Sequence, residues 1–347
     1  MKKIKIDKEV LDGIKNGNVK QIILKDNIEN ADEIILKDEN EEINVTITAV
    51  STFKNIDDCI KIIPVDLFGY YSLKELKNKY KNFNSINAYR IKYDSNEIEK
   101  IDNDELLSII NRDTLKKNNV GHSNNNIYEV LLKDGKEAIL KTQKLSSRNN
   151  LFDEYQRIKW LENKLNVPKV YYYGEKNNIK YLLMEKIDGL SAHKTSNYAN
   201  KLGILLRQIH DIDIKDCPFK QNDTDKLLNN ALANIDVIYL EVKKEYPEMT
   251  KQDIVEFLKS NIPKDRVLVH GDYSLPNIII DKEGNISVID LGDVSISTKY
   301  FDLFYLKKSM IRNKQSDKLD ELLNAYGIDK LDDNYMKWME IVDKGLF

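Results

Sequence analysis

The chain has 347 residues, long enough for two or three separately packed units, each with its own core. Its 54 Lys plus Arg and 57 Asp plus Glu leave a net charge of −3, which excludes a broad basic field for drawing in nucleic acid or an anionic membrane. Two cysteines, Cys59 and Cys217, lie far apart without ligand spacing, so neither a disulfide framework nor a zinc site is expected.

In chain order, MKKIKIDKEV meets acids before a leader's apolar core can form, and no later apolar run reaches membrane-spanning length. A soluble, cytoplasmic protein with no membrane partner is the expectation. Within residues 1–98, VKQIIL, EIIL and EINVTITAV predict short strands, YSLKELKNKYKNF a helix, and INAYRIKY a return to strand. The charged run from 94 to 105 predicts a connection, with the linker at 99–105. NIYEVLLKDG and EAILKT then predict a hairpin turning at Asp134 and Gly135. LFDEYQRIKWLENKL predicts a helix over about 150–165, its apolar positions 151, 155, 158, 161 and 165 on one face. VPKVYYYGEKNNIKYLLMEKIDG predicts two strands joined by a Gly-Asn turn. Leu202, Leu205, Leu206 and Ile209 have the spacing of a buried helical stripe, and 223–260 reads as helix with a break at Pro247. A strand, loop and strand follow in LVHGDYSLPNIIIDKEGNISVIDLGD, and the last forty residues return to helix. A β-rich lobe at 106–186 followed by a helical lobe at 187–347 is an α+β, kinase-like order.

The stretch from 268 to 293 places Asp272 and Asp290 eighteen residues apart, with Asn277 between them. Phosphoryl transfer needs a carboxylate near the acceptor hydroxyl, hard oxygen ligands for Mg²⁺, and cations on the phosphates. Asp272 suits the first role, while the Asn277 carbonyl and the Asp290 carboxylate suit the second. Gly292 is expected to let the backbone turn sharply beside the metal. The bland alternative is a β-hairpin punctuated by turn-forming Asp, Asn and Gly.

HGDYSLPN and IDLGD resemble the HGDxxxxN catalytic loop and IDxG metal motif of the aminoglycoside 3'-phosphotransferase family, relatives of the protein kinases. The resemblance, running from about 104 to 347, implies a bilobal kinase-like fold and an ATP- or GTP-dependent transfer to a hydroxyl. Asp272 is then the base or orienter, and Asn277 and Asp290 hold Mg²⁺. Lys141, ending EAILKT, and Glu154, six residues before Trp160, match the family's phosphate-positioning pair. NNVGHSNNNIY resembles its phosphate-covering loop, with Gly121 expected to permit close backbone approach and Ser123 to present its hydroxyl or amide to a phosphate. YLLMEKIDG matches its hinge, with Met184 behind the adenine and Glu185 to Ile187 as backbone contacts. Ile139 stands where relatives often stack an aromatic on the base. His270 and Asp302 are expected to brace the loop, and His210 to be a structural histidine.

A polycationic acceptor calls for carboxylates: the resemblance implies Glu241 and the terminal carboxylate of Phe347 as groups that bind an aminoglycoside-like small molecule, with Asp343 as a stand-in for the acids of the related enzymes. Lys344 and Gly345 replace acids of the related enzymes, and Asp293 stands where IDLGR is frequent, so the acceptor's identity stays open. Residues 1–98 resemble an ASCH domain, a small β-barrel related to PUA domains and associated with RNA. Their 16 Lys plus Arg against 17 Asp plus Glu lack a basic footprint, leaving a packing or dimerisation module as the alternative. Two other readings of the whole remain: a kinase for another hydroxylated metabolite or antibiotic, and a regulatory protein binding RNA and nucleotide.

Overall fold

The computed structural model describes residues 2–15, 19–24, 28, 33–63, 65–68, 73–83, 85–93, 101–118, 126–144, 151–195 and 198–345. The chain divides into two compact units, Met1–Glu99 and Lys100–Phe347.

In the first unit, β1 (Lys2–Lys5), α1 (Lys8–Lys15), β2 (Gln21–Leu24), β3 (Glu33–Lys37), β4 (Glu42–Phe53), α2 (Ile56–Ile62), α3 (Leu73–Tyr80) and β5 (Ile86–Lys92) follow one another. The strands form one sheet in the order β1-β3-β4-β5-β2, half of a barrel, with β1 parallel to β3 and the other pairs antiparallel. Strand alternation divides the apolar residues between two faces. On β5, Tyr89 joins Leu11 and Ile14 of α1, while its neighbour Ala88 joins Cys59 of α2 and Leu76 of α3. The Tyr89 hydroxyl, buried with its ring, accepts a hydrogen bond from the Ile28 N–H at 2.7 Å.

The second unit begins with α4 (Asp104–Ile109), β6 (Ile110–Asn118), β7 (Asn126–Leu132), β8 (Glu137–Lys144), α5 (Leu151–Leu161), β9 (Val170–Lys176) and β10 (Ile179–Glu185). The five strands make an antiparallel sheet in the order β6-β7-β8-β10-β9. Asp104 and Glu105, expected in the linker, are already helical, because the Asn103 side chain caps α4 by accepting from the Leu106 N–H at 3.1 Å. Between β9 and β10 the turn is Asn177–Asn178, with φ of 53° and 62°, while Gly174 lies within β9. Two Asn in left-handed conformation suit the twist of a tight hairpin. On β8, Ala138 and Leu140 face the small lobe's own core, which sends Ile139 and Lys141 to the opposite face.

The larger lobe contains β11 (Leu190–Ser191), α6 (Ala199–His210), α7 (Thr224–Ala233), α8 (Ile235–Glu245), α9 (Lys251–Ser260), β12 (Val267–Val269), β13 (Ile278–Ile280), β14 (Ile286–Val288), β15 (Ser295–Ser297), α10 (Lys299–Arg312), α11 (Leu319–Tyr326) and α12 (Asp333–Asp343). The helix expected over 223–260 breaks twice: once at Tyr246–Thr250, which contains Pro247, and once at Asn234, which closes α7 and opens α8. The Leu202, Leu205, Leu206 and Ile209 stripe of α6 is buried. Each such side chain contributes about 1.5–3 kcal/mol when removed from water. Trp338 of α12 is fully buried and donates its indole N–H to the Leu258 carbonyl of α9 at 2.9 Å. Gly203 brings α6 so near α11 that a Cβ there would lie 2.3 Å from the Leu322 carbonyl oxygen. Among the described residues no helix is long and apolar enough to cross a membrane.

Candidate active site

Two short strand pairs carry the stretch from 268 to 293 and explain why its polar residues converge. In the β13–β14 hairpin, Ile278 pairs with Val288. Asn277, just before β13, and Asp290, two residues after β14, therefore share one end of that hairpin. The Ile289 N–H donates to the Asn277 carbonyl at 3.0 Å and fastens the two motifs together. In the second pair, Val269 of β12 opposes Ser295 of β15, which brings the loop after 269 beside the segment before 295. Gly271 sits there at φ +89°, and a Cβ on it would lie 2.3 Å from the Asp293 carbonyl oxygen. Only glycine permits that approach without strain.

The catalytic-loop residues are held from both sides. Asn277 donates its amide N–H to the Asp272 carbonyl at 3.0 Å and to Asp272 Oδ2 at 2.8 Å. His270, almost wholly buried, donates from Nε2 to the Ile289 carbonyl at 3.0 Å and accepts at Nδ1 from the Asp272 N–H at 3.3 Å. These partners fix a neutral tautomer, so His270 is a brace with no free nitrogen for proton transfer. Asp302, 0% exposed on α10, accepts from the His270 N–H at 2.7 Å, the Gly271 N–H at 2.9 Å and His210 Nε2 at 3.2 Å. His210 in turn accepts at Nδ1 from the Tyr326 hydroxyl at 2.8 Å.

Lys141 joins the small lobe to this loop. Its Nζ lies 2.7 Å from Glu154 Oε1 on α5 and 2.8 Å from Asp290 Oδ1. The Lys141 and Glu154 side chains are only 9% and 5% exposed, whereas that of Asp290 is 50% exposed. Burial works against the Lys141 ammonium, but the two carboxylates outweigh it and hold its pKa above the usual range. Burial pushes Glu154 up, with Lys141 opposing. Lys141 holds Asp290 below the usual carboxylate range. Asp290 itself is left-handed, at φ 60° and ψ 61°. The sharp turn expected of Gly292 is thus made by Asp290: Gly292 has no positive φ, and a Cβ there would meet nothing within 4 Å.

On the interior strands of the small lobe's sheet, Met184 is buried opposite Ile139 across the β8–β10 pair. Glu185 directs its carboxylate and N–H at the Lys169 backbone, and the Lys186 N–H bonds the Glu137 carbonyl at 3.4 Å. Ile187 follows, half-buried. Glu241 receives both of its hydrogen bonds from Lys244 on its own helix, at 2.7 and 2.8 Å. Asp343 accepts from the Tyr305 hydroxyl at 2.7 Å and from Lys308 Nζ at 2.5 Å. Burial raises the Tyr305 phenol strongly, helped by Asp343 and then by the charges of Asp272 and Asp293. Gly121, Ser123 and Phe347 lie outside the described residues.

Sequence reasoning missed Arg157, Tyr305 and Lys308. Arg157 had a detectable signal: it stands three residues after Glu154 on the buried face of α5. Its Nε donates to the Val294 carbonyl at 2.8 Å.

A lysine shared by a helix glutamate and a loop aspartate, beside an Asp–Asn catalytic loop, defines a kinase-like phosphoryl-transfer enzyme. A model of the phosphotransferase enzyme family matches residues 114–340. An aminoglycoside 3'-phosphotransferase from Niallia circulans is 32% identical over 253 residues, covering 70% of this chain and 96% of the relative. One from Escherichia coli is 29% identical over 244 residues, covering 66% and 89%. Among solved structures, an aminoglycoside-3'-phosphotransferase of type VIII matches with a TM-score of 0.52 at 20% identity, over 67% of this chain and 94% of that one. An aminoglycoside phosphotransferase from Streptomyces rimosus, in complex with ADP and streptomycin, matches at 0.51 and 20%, over 71% and 99%. These likenesses are ones of fold. The chain belongs to the phosphotransferase enzyme family, and it is a phosphotransferase with a hydroxyl acceptor.

Proposed function

We propose that the chain transfers the γ-phosphate of ATP or GTP to a hydroxyl of an aminoglycoside-type antibiotic, and so gives resistance to it. The observation that carries the reading is the Glu154–Lys141–Asp290 chain of contacts beside the Asp272–Asn277 loop. The relatives named aminoglycoside 3'-phosphotransferase supply the acceptor class.

In this reading Glu154 keeps the Lys141 ammonium charged and aimed at the α and β phosphates. The hinge from Glu185 to Ile187, with Met184 behind it, takes the base, the Ile187 amide being the donor beyond the two N–H groups already used. Ser123 is assigned to the phosphate-covering loop. Asn277 occupies one oxygen of Asp272, which leaves the other to accept the proton of the attacking hydroxyl. The donor set fits Mg²⁺: Asn277 turns its NH₂ toward Asp272 and keeps its carbonyl oxygen, and Asp290 has an exposed carboxylate. Bound Mg²⁺ supplies charge neutralisation between the phosphates. Glu241, Asp343 and Phe347 are assigned to the acceptor's ammonium groups. We read residues 1–98 as an ASCH- or PUA-like module with RNA as the partner to test, 106–186 and 187–347 as the two lobes, and the protein as cytoplasmic.

The test is nucleotide consumption against a panel of aminoglycosides, amino alcohols and sugars, comparing the wild type with Asp272→Ala. Turnover on kanamycin-like compounds should fall by about 10²–10⁴-fold in the variant. Turnover confined to other metabolites would sink the acceptor assignment.

A further inference from the structure

We infer that Arg157 is a positioning residue that sets the metal-binding loop against the Lys141–Glu154 pair. The inference rests on the kinase reading of the site and concerns what holds its two halves in register.

The Asp293–Val294 peptide, just after the metal motif, is gripped from three directions. From α5, Arg157 donates Nε to the Val294 carbonyl at 2.8 Å. From the loop before α7, Gln221 donates Nε2 to the same oxygen at 3.0 Å, and Asn222 Nδ2 reaches the Asp293 carbonyl at 3.3 Å. From the catalytic loop, Gly271 abuts that Asp293 carbonyl so closely that no Cβ fits. Arg157 is 5% exposed, its guanidinium lies 5.0 Å over the Phe219 ring, and its Nη1 is buried without a hydrogen-bond partner. A buried cation with one orphaned donor carries a desolvation cost that simple packing would not require.

The contacts close a circuit. Glu154 and Arg157 stand one helical turn apart on α5. Glu154 reaches Asp290 through Lys141, and Arg157 reaches Val294, four residues beyond Asp290, directly. With α5 tied to both ends of the Asp290–Val294 segment, the Asp290 carboxylate cannot drift from Lys141 without moving the helix. Arg157 thus acts on the phosphate and metal end of the nucleotide site, and neither the hinge nor the acceptor cluster should depend on it.

The experiment has two readouts. Hydrogen exchange in nucleotide-free, metal-free protein follows amides 289–297 in the wild type, Arg157→Met, Arg157→Lys and Gln221→Leu. Titrations with ATP, with and without Mg²⁺, are paired with the acceptor KM. For Arg157→Met the expectation is about tenfold faster exchange confined to 289–297, and about tenfold weaker binding of ATP with Mg²⁺, the scale of one charge-assisted hydrogen bond. Metal-free ATP affinity and acceptor KM should stay within about twofold. Arg157→Lys should recover part of the loss, and Gln221→Leu should move both readouts the same way by less. Equal losses with and without Mg²⁺, unchanged exchange in 289–297, or exchange rising throughout the small lobe overturns the inference. If these occur while the wild type turns over an acceptor and Asp272→Ala does not, the reading of the site stands alone. A wild type that binds no nucleotide overturns both.

Discussion

The residues around Lys141 and those proposed for the acceptor are held differently. On the nucleotide side, groups of separate elements hold one another: Lys141 and Glu154 in a buried pair, Lys141 and the half-exposed Asp290, and the buried Asp302 with the loop amides. Among the acids proposed for the acceptor, the two that are described are each matched by a nearby lysine: Glu241 by Lys244 on its own helix, and Asp343 by Lys308 with Tyr305. The first arrangement fixes a reaction. Under the proposed acceptor assignment the second sets a threshold, because a cationic substrate would have to compete with lysines already in place.

The largest effect that tests this contrast is Lys141→Met. It strands the buried Glu154 charge and should cost about 3–5 kcal/mol in chemical denaturation, with loss of nucleotide binding. Lys141→Met with Glu154→Leu should regain most of that stability and none of the activity. Recovery of activity would show that the pair is structural only. A smaller effect is expected from Lys244→Met, which frees Glu241 on the helix surface. The KM for a polycationic acceptor should fall by about threefold, with the nucleotide KM unchanged. No change in either constant would remove Glu241 from the acceptor site.

A finer probe is acid stability. Asp290 is held below its usual value of 3.8, so the stability it contributes is present above that value and is lost as pH falls through its folded-state pKa. Asp290→Asn should flatten the unfolding free energy below about pH 4, and an unchanged acid limb would refute the coupling to Lys141. For the amino-terminal unit, structured RNA titrated at two salt concentrations should show no salt-sensitive binding, given 16 basic against 17 acidic residues in 1–98. Binding that weakens with salt would reverse that expectation.

The same contrast explains what could be read from the sequence. Asp272, Asn277 and Asp290 were visible because HGDYSLPN and IDLGD are short contiguous motifs that resemble the family's, and Lys141 and Glu154 because their placement before Trp160 resembles the family's pair; the strand pairing that brings them together was not visible. The place of Arg157 on the buried face of α5 was readable, but its role was hidden because its partner is a backbone carbonyl 137 residues away, and every residue has one. The turn at 290–292 was assigned to its glycine by composition, yet an aspartate adopts the left-handed conformation there. The Asn234 break was invisible because apolar spacing continues across it. In the first unit, alternating apolar runs revealed strands, but which strands adjoin depends on long-range register, and the described sheet is half a barrel.

Asp302 has a further consequence for how this enzyme can change. One carboxylate with no exposed surface ties α10 to the catalytic loop and, through His210 and Tyr326, to α6 and α11. Stability and chemistry therefore pass through the same atoms. Under drug selection, such a residue offers no neutral route; in the proposed acceptor assignment it is Glu241, paired with Lys244 on the helix surface, where a charge can be exchanged without loosening the fold.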